Sequence, residues 1–205
     1  MTKAKFITFE GADGTGKSTQ ISLLGKHLES NGIEFIITRE PGGTEIGEII
    51  RNWVLHGEHE KLKPQTETLM MIAARAFHVE NLIKPALNEN IWVISDRYTD
   101  ATTVYQGHAK GMSIDTINFL NNIATEGLQP DITFLLDASS RIGKGRIASR
   151  QLDYFEKESD VFIDQIRQGY IEVAKKNPDR VKIIQADQPI AAVFSDISNH
   201  LSIWV

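Results

Sequence analysis

The chain has 205 residues, of which 41% are hydrophobic and 24% charged, with a formal net charge of −5 and no cysteine. These values are typical of one globular domain and argue against nucleic acid or an anionic membrane as a partner. The lack of cysteine excludes disulfides, thiolate catalysis and cysteine-based zinc sites. A strand pattern begins almost at the N-terminus, and no stretch approaches the about 20 apolar residues of a membrane span, so we expect a cytoplasmic protein without a signal peptide.

Short apolar runs separated by helical patterns predict the secondary structure. The runs are continuous rather than alternating, as in parallel strands that are covered on both faces. Helical spacing is clearest at 44–55 and 65–87. The alternation predicts a doubly wound α/β fold over 1–205, a five-stranded parallel sheet with helices on both faces, with ligands at the carboxyl ends of the strands. The predicted strands are 6–9, 35–38, 91–95, 132–136 and 181–184.

The residues that follow the first predicted strand form the most specific motif in the chain. They match G-x-x-x-x-G-K-[ST], the P-loop, and lead into a helical pattern. Backbone N–H groups of such a loop point at phosphate oxygens, and the helix adds its positive N-terminal end. We expect Lys17 to reach the β- and γ-phosphates of ATP and the Ser18 hydroxyl to hold Mg²⁺. The predicted ATP-binding residues here are Gly11, Ala12, Asp13, Gly14, Thr15, Gly16, Lys17, Ser18 and Thr19.

Charged residues follow the next two predicted strands. The second strand leads into Arg39-Glu40-Pro41-Gly42-Gly43, a turn that projects a charged pair at the site. The third leads into Asp96-Arg97, and an acid at this place in a P-loop protein commonly holds Mg²⁺. Arg97 could then bridge the donor and acceptor phosphates. The alternatives are a surface turn with an ion pair in the first case and a helix-capping acid with a surface arginine in the second.

Polar residues also occur within three helical patterns. Arg51 and Arg75 lie beside apolar residues, where an arginine usually extends to the surface. Small residues around Arg75 leave room for a flat ligand, and a guanidinium can hydrogen-bond or stack on a base. Thr102 and Gln106 are four residues apart and would share one helix face. A hydroxyl and an amide there suit a pyrimidine edge, although a capped helix with exposed polar residues is the alternative.

The polar stretch 139–157 contains the densest basic cluster of the chain. Its members are Arg141, Lys144, Arg146 and Arg150. Such a run is usually a solvated helix face. In an acidic protein with a P-loop it also fits a lid that closes over phosphates, and we expect a lid here.

The particular combination of motifs indicates a family. A P-loop alone is shared by many families, whereas the Arg39–Gly43 run combined with Asp96-Arg97-Tyr98 and Tyr105-Gln106-Gly107 is much more specific. With these residues the chain resembles the bacterial thymidylate kinase (dTMP kinase) family nearly end to end. The resemblance implies transfer of the ATP γ-phosphoryl group to dTMP, giving dTDP and ADP for dTTP biosynthesis, with Mg²⁺ as cofactor and a homodimeric assembly.

The resemblance also implies roles around the phosphate and sugar of the acceptor. Asp13 matches the carboxylate that meets the 3′-hydroxyl, and Tyr105 matches the tyrosine that crowds a ribose 2′-hydroxyl. Arg51 and Arg97 match the arginines that hold the dTMP phosphate.

For the two bases, the resemblance assigns Arg75 to the thymine edge and places Gln188 in the segment that passes the ATP adenine. Met71 stands where the family often has a phenylalanine that stacks on thymine, and a methionine can pack there through its sulfur. The predicted substrate-binding residues are Asp13, Arg39, Glu40, Pro41, Arg51, Met71, Arg75, Arg97, Thr102, Tyr105 and Gln106.

The lid departs from the family pattern. The family usually has Leu-Asp-Arg where this chain has Leu152-Asp153-Tyr154, and Gly14 stands where some members carry a basic P-loop residue. The chain therefore resembles the class that takes its catalytic arginine from the lid. The predicted catalytic residues are Lys17, Arg97, Arg146, Arg150 and Asp13, and the predicted metal-binding residues are Ser18 and Asp96.

Two other functions are compatible with the sequence. One is a related kinase that acts on dUMP, CMP or AMP, since Met71 and the altered lid leave room for a different base choice. The other is a nucleotide-dependent switch or ATPase, which needs no acceptor pocket. The set of Arg51, Arg75 and Gln106 favours an acceptor site and therefore a kinase.

Overall fold

Five parallel strands form the central sheet of this computed structural model, which describes residues 3–56, 62–139, 142–143, 146 and 159–205. The order in the sheet is β2-β3-β1-β4-β5. The predicted doubly wound α/β fold is confirmed, and each predicted strand lies within one residue of its observed ends. The strands are β1 (Phe6–Glu10), β2 (Phe35–Arg39), β3 (Trp92–Asp96), β4 (Ile132–Asp137) and β5 (Val181–Gln185).

The strand order places a cleft at the carboxyl end of β1. The chain leaves β1, builds β2 and β3 on one side of it, and then crosses to β4 on the other side. Ligands of open α/β sheets bind at such a switch point. In the sheet register, Phe9 lies between Asp96 of β3 and Phe134 of β4, and Arg39 lies opposite Asp96. The residues that follow β1, β2 and β3 therefore meet at one edge.

Helices cover both faces of the sheet within the described ranges. The predicted helix 65–87 is interrupted by a π-helical turn at Val79–Ile83, and a second π-helical segment, Thr103–Ala109, follows α5. Hydrophobic periodicity marks a helix without distinguishing a π turn from an α turn, because both bury one face. The helices are α1 (Lys17–Ser30), α2 (Glu45–His56), α3 (Pro64–His78), α4 (Lys84–Asn88), α5 (Thr99–Thr102), α6 (Ile114–Thr125), α7 (Asp160–Lys176) and α8 (Ile190–Leu201).

The two sheet faces bury separate apolar clusters. On one face, Phe9 and Phe134 pack with Leu24 of α1 and Ile197 of α8. On the other face, Leu135 packs with the second π-helical segment and α7. Successive side chains of a strand point to opposite faces, so a strand buried on both faces is apolar throughout. No helix in the described ranges combines the length and apolar character needed to cross a bilayer.

Candidate active site

A cavity of about 460 Å³ opens at the carboxyl edge of the sheet. Its volume lies within the range of about 300–1,000 Å³ that is usual for ligand pockets. The P-loop forms one wall, the turns after β2 and β3 form the floor, and α3 with the second π-helical segment forms the far wall. The cavity is lined by the predicted residues Asp13, Gly14, Gly16, Lys17, Ser18, Thr19, Glu40, Pro41, Arg51, Met71, Arg75, Asp96, Arg97, Thr102, Tyr105, Gln106 and Arg146.

Glycine conformations shape the P-loop. Gly11 has a φ of 133°, and a Cβ there would lie 2.6 Å from the Leu136 carbonyl oxygen. Gly16 has a φ of 100° and immediately precedes α1. These backbone conformations, together with the close packing on Leu136, explain why the loop needs glycine at both positions.

The Lys17 side chain folds back onto the start of the P-loop. Its Nζ donates hydrogen bonds of 3.0 Å to the carbonyl oxygens of both Gly11 and Ala12, and the side chain is buried. Burial and then the charge of Arg97 lower the pKa of Lys17, while Asp96 and Asp13 act in the opposite direction. The ammonium group therefore lies in a dehydrated environment, where an anion such as phosphate gains most from binding.

Arg97 joins the P-loop to the end of β3. Its Nη2 donates to Asp13 Oδ1 at 2.7 Å and to the Tyr105 hydroxyl at 3.2 Å, and the guanidinium lies over the Tyr105 ring at 5.6 Å. The Tyr105 hydroxyl in turn donates to Asp13 Oδ2 at 3.4 Å. Burial acts to lower the pKa of Arg97, but the charge of Asp13 and other acidic neighbours raises it well above its usual value. The arginine therefore stays charged.

The turn that carries Arg97 is strained and firmly held. Arg97 has a φ of 72°, which is uncommon for a residue with a side chain. The Ser95 hydroxyl donates to the Arg97 carbonyl at 2.7 Å, and the Arg97 N–H donates to the Phe9 carbonyl at 2.9 Å. The next N–H, of Tyr98, donates to Glu10 Oε1 at 2.8 Å. Neighbouring strands thus fix the direction in which Arg97 leaves the sheet.

Arg75 is buried at the far wall of the cavity, with 3% of its surface exposed. Its Nε donates to Glu40 Oε2 at 2.7 Å, and its Nη1 donates to Thr102 Oγ1 at 3.0 Å and Asn121 Oδ1 at 2.6 Å. Its Nη2 donates to the Tyr98 carbonyl at 2.9 Å. These bonds use four of the five N–H groups of a guanidinium. The alternative of a surface arginine is therefore wrong, and Nη2 retains one N–H for a ligand.

A buried chain of polar groups supports Arg75 from behind. Glu40 Oε1 lies 2.9 Å from His78 Nδ1, and His78 Nε2 lies 2.7 Å from the Thr38 hydroxyl, both at hydrogen-bond distance. Burial acts to raise the pKa of Glu40, but Arg75 and His78 outweigh it and lower the pKa. A Cβ on Gly43, which has a φ of 77°, would clash with Thr38 and His78. The Glu40 turn is therefore packed against this chain, and Glu40 is a buried partner of Arg75 rather than a surface charge.

Arg51 and Arg39 lie nearer the rim. Arg51 lines the cavity, and its Nη1 donates to the Pro41 carbonyl at 2.9 Å. Burial, then the charges of Arg39 and Arg97, lower the pKa of Arg51. Arg39 Nη2 donates to Glu48 at 2.8 Å, with the side chain about half exposed, and Arg39 is not among the lining residues. The alternative of a surface ion pair at this turn thus holds for Arg39, which pairs with Glu48, while Glu40 faces inward.

Ser18 and Asp96 offer oxygen ligands at the P-loop side of the cavity. Both line the cavity, and Asp96 Oδ1 is a buried carboxylate oxygen with no hydrogen-bond partner among the described residues. A buried unpaired carboxylate oxygen is costly unless a cation or donor binds it. Within the described part of the chain, no three or more His, Asp or Glu side chains are grouped so that they could hold a metal ion by themselves. Magnesium commonly uses only one or two protein oxygens together with substrate phosphates and waters, so these two residues fit it.

The remaining predicted residues fall into four groups. Arg146 Nη1 donates to the Thr15 carbonyl at 3.3 Å and its Nη2 to the Ala186 carbonyl at 3.0 Å, beside the P-loop. Gln188 bonds the Gln185 carbonyl at 3.0 Å and Asp196 at 3.1 Å and does not line the cavity. Gly11, Ala12 and Thr15 support the loop without lining the cavity. Arg141, Lys144, Arg150 and the segment 152–154 lie outside the described residues.

Sequence reasoning missed three buried polar residues that hold the cavity residues in place. Asn121 accepts from Arg75, His78 bonds Glu40, and Glu67 accepts from Gln106 Nε2 at 2.6 Å. Asn121 carries a detectable signal, since it is a polar residue next to the apolar pattern of α6. His78 follows Arg75 by three residues and so shares its face of α3. Glu67 carries no signal that separates it from a surface residue.

Comparisons with known proteins place the chain in a family. A family model described as thymidylate kinase matches residues 9–197. The chain belongs to the thymidylate kinase family. It is 40% identical to a thymidylate kinase of Methylococcus capsulatus over 98% of this chain and 96% of that one. It is 41% identical to a thymidylate kinase of Nitrosospira multiformis over 98% of each chain.

A solved structure supports the same assignment for the fold. The crystal structure of thymidylate kinase from Ehrlichia chaffeensis superposes with a TM-score of 0.78, at 34% identity, over 97% of this chain and 98% of that one. Members of the thymidylate kinase family are ATP-dependent nucleotide kinases, so this chain is a phosphotransferase. The interpretation as a switch without an acceptor is thereby excluded.

Glu10 lies beneath this site, and its raised pKa makes the free energy of unfolding depend on pH. It is buried and accepts from Tyr170 at 2.8 Å; burial first, then Asp100, raises its pKa from 4.5 to about 8. A carboxyl whose pKa is raised by folding contributes stability that is complete below about pH 4.5 and lost as the pH rises toward 8. Each pH unit in this window costs at most about 1.4 kcal/mol. We expect Glu10→Gln, which cannot ionise, to flatten the fall in urea-unfolding free energy between pH 5 and 8.

The exposed Glu29 on α1 supplies the control for this experiment. Glu29→Gln should leave the pH dependence of the unfolding free energy as in the parent protein. An equal slope in the Glu10→Gln and parent proteins would contradict the prediction.

Proposed function

We propose that this site carries out the reaction for which its family is named, transfer of the γ-phosphoryl group of ATP to the 5′-phosphate of dTMP, giving dTDP and ADP. The observation that carries the proposal is one continuous cavity with Lys17 and Ser18 at one end, Arg97 in the middle and Arg75 at the other end. A phosphate donor and a nucleotide acceptor fit this order of charges. All 205 residues serve this one kinase domain.

The central step needs two polyanions to meet. The attacking oxygen of dTMP is already anionic, so no general base is required, and positioning with charge stabilisation supplies the catalysis. Lys17 neutralises the ATP phosphates, while Arg97 and Arg51 hold the dTMP phosphate between the P-loop and the Pro41 turn. Support comes from the ion pair of Arg97 with Asp13, which fixes the guanidinium at the boundary between the two substrates.

The deoxyribose lies beside Asp13 and Tyr105 in this proposal. Asp13 accepts from the 3′-hydroxyl, and the Tyr105 ring occupies the space that a 2′-hydroxyl would need. The contact of Tyr105 with both Asp13 and Arg97 supports this arrangement. Arg75 donates its remaining N–H to O4 of thymine, with Met71, Thr102 and Gln106 around the ring.

Magnesium is the cofactor in our proposal. Ser18 and Asp96 would hold it, and the unpaired Oδ1 of Asp96 is the support for that choice. When bound, the ion neutralises charge on the ATP phosphates. Arg146 and Arg150 are proposed to add positive charge from the lid over 139–157, and Gln188 to lie near the adenine. The bonds of Arg146 to the backbone of residues 15 and 186 support its place beside the ATP phosphates.

The proposed assembly is a homodimer that works in the cytoplasm without nucleic acid. Helix α3 packs against both α2 and α6. Six large apolar residues on these three helices are between 44% and 65% exposed, namely Ile46, Ile49, Trp53, Leu69, Phe119 and Ile123. Exposed apolar groups of this kind mark interaction surfaces. The nucleotide substrates support the proposed cytoplasmic location.

Sedimentation equilibrium tests the dimer. We expect a mass near twice the 23.0 kDa of the chain. Phe119→Glu, which places a charge on this surface, should shift the mass toward one chain. A monomeric parent protein would refute the proposed assembly.

A substrate panel tests the reaction itself. ADP release with Mg-ATP should be measured with dTMP, dUMP, dCMP, CMP, AMP and dGMP, each against a sample without acceptor. We expect strong preference for dTMP over dCMP, CMP and AMP, because the far wall presents the Arg75 donor to the keto group at position 4 of thymine, whereas the matching edge of cytosine and adenine carries an amino group. Equal use of several acceptors would contradict the assignment of thymidylate as substrate, and ADP release that is independent of acceptor would contradict the kinase reaction.

Two single substitutions test the phosphate-binding roles. Arg97→Ala and Lys17→Ala should each lower kcat by about 10²- to 10³-fold, since each removes a cation from the transferring phosphoryl group. Circular dichroism should show an unchanged fold. Lys26→Ala, an exposed lysine of the same helix as Lys17, should keep the parent kcat. Near-normal turnover of either site variant would refute its catalytic role.

A further inference from the structure

The ion pair of Glu67 and Lys110, to which no role in substrate binding has been assigned, fixes the orientation of the Gln106 amide. Gln106 lines the cavity and is 2% exposed. Its Nε2 donates to Glu67 Oε1 at 2.6 Å, and Glu67 is also 2% exposed. The nitrogen end of the amide therefore points toward α3, and the oxygen end remains for the cavity.

Lys110 explains why the amide cannot turn around. Its Nζ lies 2.9 Å from Glu67 Oε1 and 2.7 Å from Glu67 Oε2, with the lysine side chain 12% exposed. A carboxylate paired with an ammonium group has only acceptor oxygens. If Gln106 presented its oxygen to Glu67, two acceptors would face each other in a buried setting, which is costly. Nε2 toward Glu67 is therefore the one satisfied orientation.

This orientation matters because pyrimidines differ in the polarity of one edge. Thymine and uracil present a donor at N3 and an acceptor at position 4, whereas cytosine presents an acceptor at N3 and a donor amino group at position 4. Arg75 offers a donor, since one N–H of its Nη2 remains after the bond to Tyr98. Gln106 Oε1 offers an acceptor. Together they match thymine and uracil and oppose cytosine at both atoms.

We infer that Glu67 and Lys110 are positioning residues that set the specificity for keto over amino pyrimidines by holding the Gln106 amide. The inference rests on the proposed function, because it takes the base of the acceptor to lie against this wall. Neither residue touches substrate. Their effect passes through Gln106 and concerns the choice between bases rather than phosphoryl transfer.

The substitution Glu67→Gln tests the inference by reversing the polarity of the wall. Lys110 has only donors, so the new side chain would turn its oxygen to Lys110 and its NH₂ to Gln106. Gln106 would then turn its oxygen to that NH₂ and present its own NH₂ to the cavity. We expect the ratio of kcat/KM for dTMP to that for dCMP to fall about 10- to 100-fold, the scale of one mispaired buried hydrogen bond. The ratio of dTMP to dUMP should stay unchanged, because both bases share the same edge.

The second ratio separates a polarity effect from a loosened pocket. Glu126→Gln is the matched control, because it removes an exposed glutamate–lysine pair, at 2.6 Å from Lys84. It should change neither ratio. Lys110→Met is the second variant in case Glu67→Gln does not fold. It removes the ammonium group that bonds both Glu67 oxygens, so the hold on the Gln106 amide should weaken and the dTMP to dCMP ratio should again fall at a constant dTMP to dUMP ratio.

Two outcomes would overturn the inference. A folded Glu67→Gln or Lys110→Met protein with the parent dTMP to dCMP ratio would show that the pair does not orient Gln106. A parallel loss with dTMP, dUMP and dCMP would show a purely structural role. The parent protein tests the proposed function separately. If it shows no preference for dTMP over dCMP before any substitution, the proposed function fails, and the inference fails with it.

Discussion

The bond between Arg97 and Asp13 joins the two halves of this site. Asp13 belongs to the P-loop, which follows β1, and Arg97 belongs to the turn after β3, the neighbouring strand. A nucleotide kinase has to bring two phosphate groups into contact although they repel each other, so cations must stand where the two binding regions meet. The sheet register places these residues side by side, and the ion pair at 2.7 Å holds the guanidinium in place. The distance between the P-loop and the turn after β3 is thus set by strand pairing, which is rigid.

The cavity concentrates positive charge in a chain whose net charge is −5. Carboxylate partners stabilise two of the arginines that line it, Asp13 for Arg97 and Glu40 for Arg75. Buried ion pairs contribute little net stability, because desolvation offsets the attraction. They do fix geometry, since each arginine keeps a defined direction and a defined set of remaining donors. The same division of roles applies to Glu67 and Lys110, where a buried charge pair orients a neutral amide.

Features of this chain that depend on consecutive residues are predictable from its sequence. The P-loop and the strands were predictable because phosphate cradling and two-sided burial each impose a local pattern. The surroundings of Arg75 were not, because its partners Glu40, Thr102 and Asn121 come from separate elements and no spacing links them. Arg39 illustrates the reverse case: the motif places it near the site, whereas the structure pairs its side chain with Glu48. The lid roles of Arg146 and Arg150 stay predictions, since they depend on the position of the segment 139–157.

The π-helical segment Thr103–Ala109 carries Tyr105 and Gln106 on neighbouring positions, and both line the cavity. In an α-helix, adjacent residues are rotated by about 100° about the axis, and the wider π turn reduces that angle. Such a turn arises when a helix accommodates one more residue than its length requires. Deleting one residue from this stretch would restore the tighter helix and turn one of the two side chains away from the cavity. The number of residues in this wall, and not only their identity, therefore determines the shape of the cavity, so an insertion or deletion here changes which side chains line it.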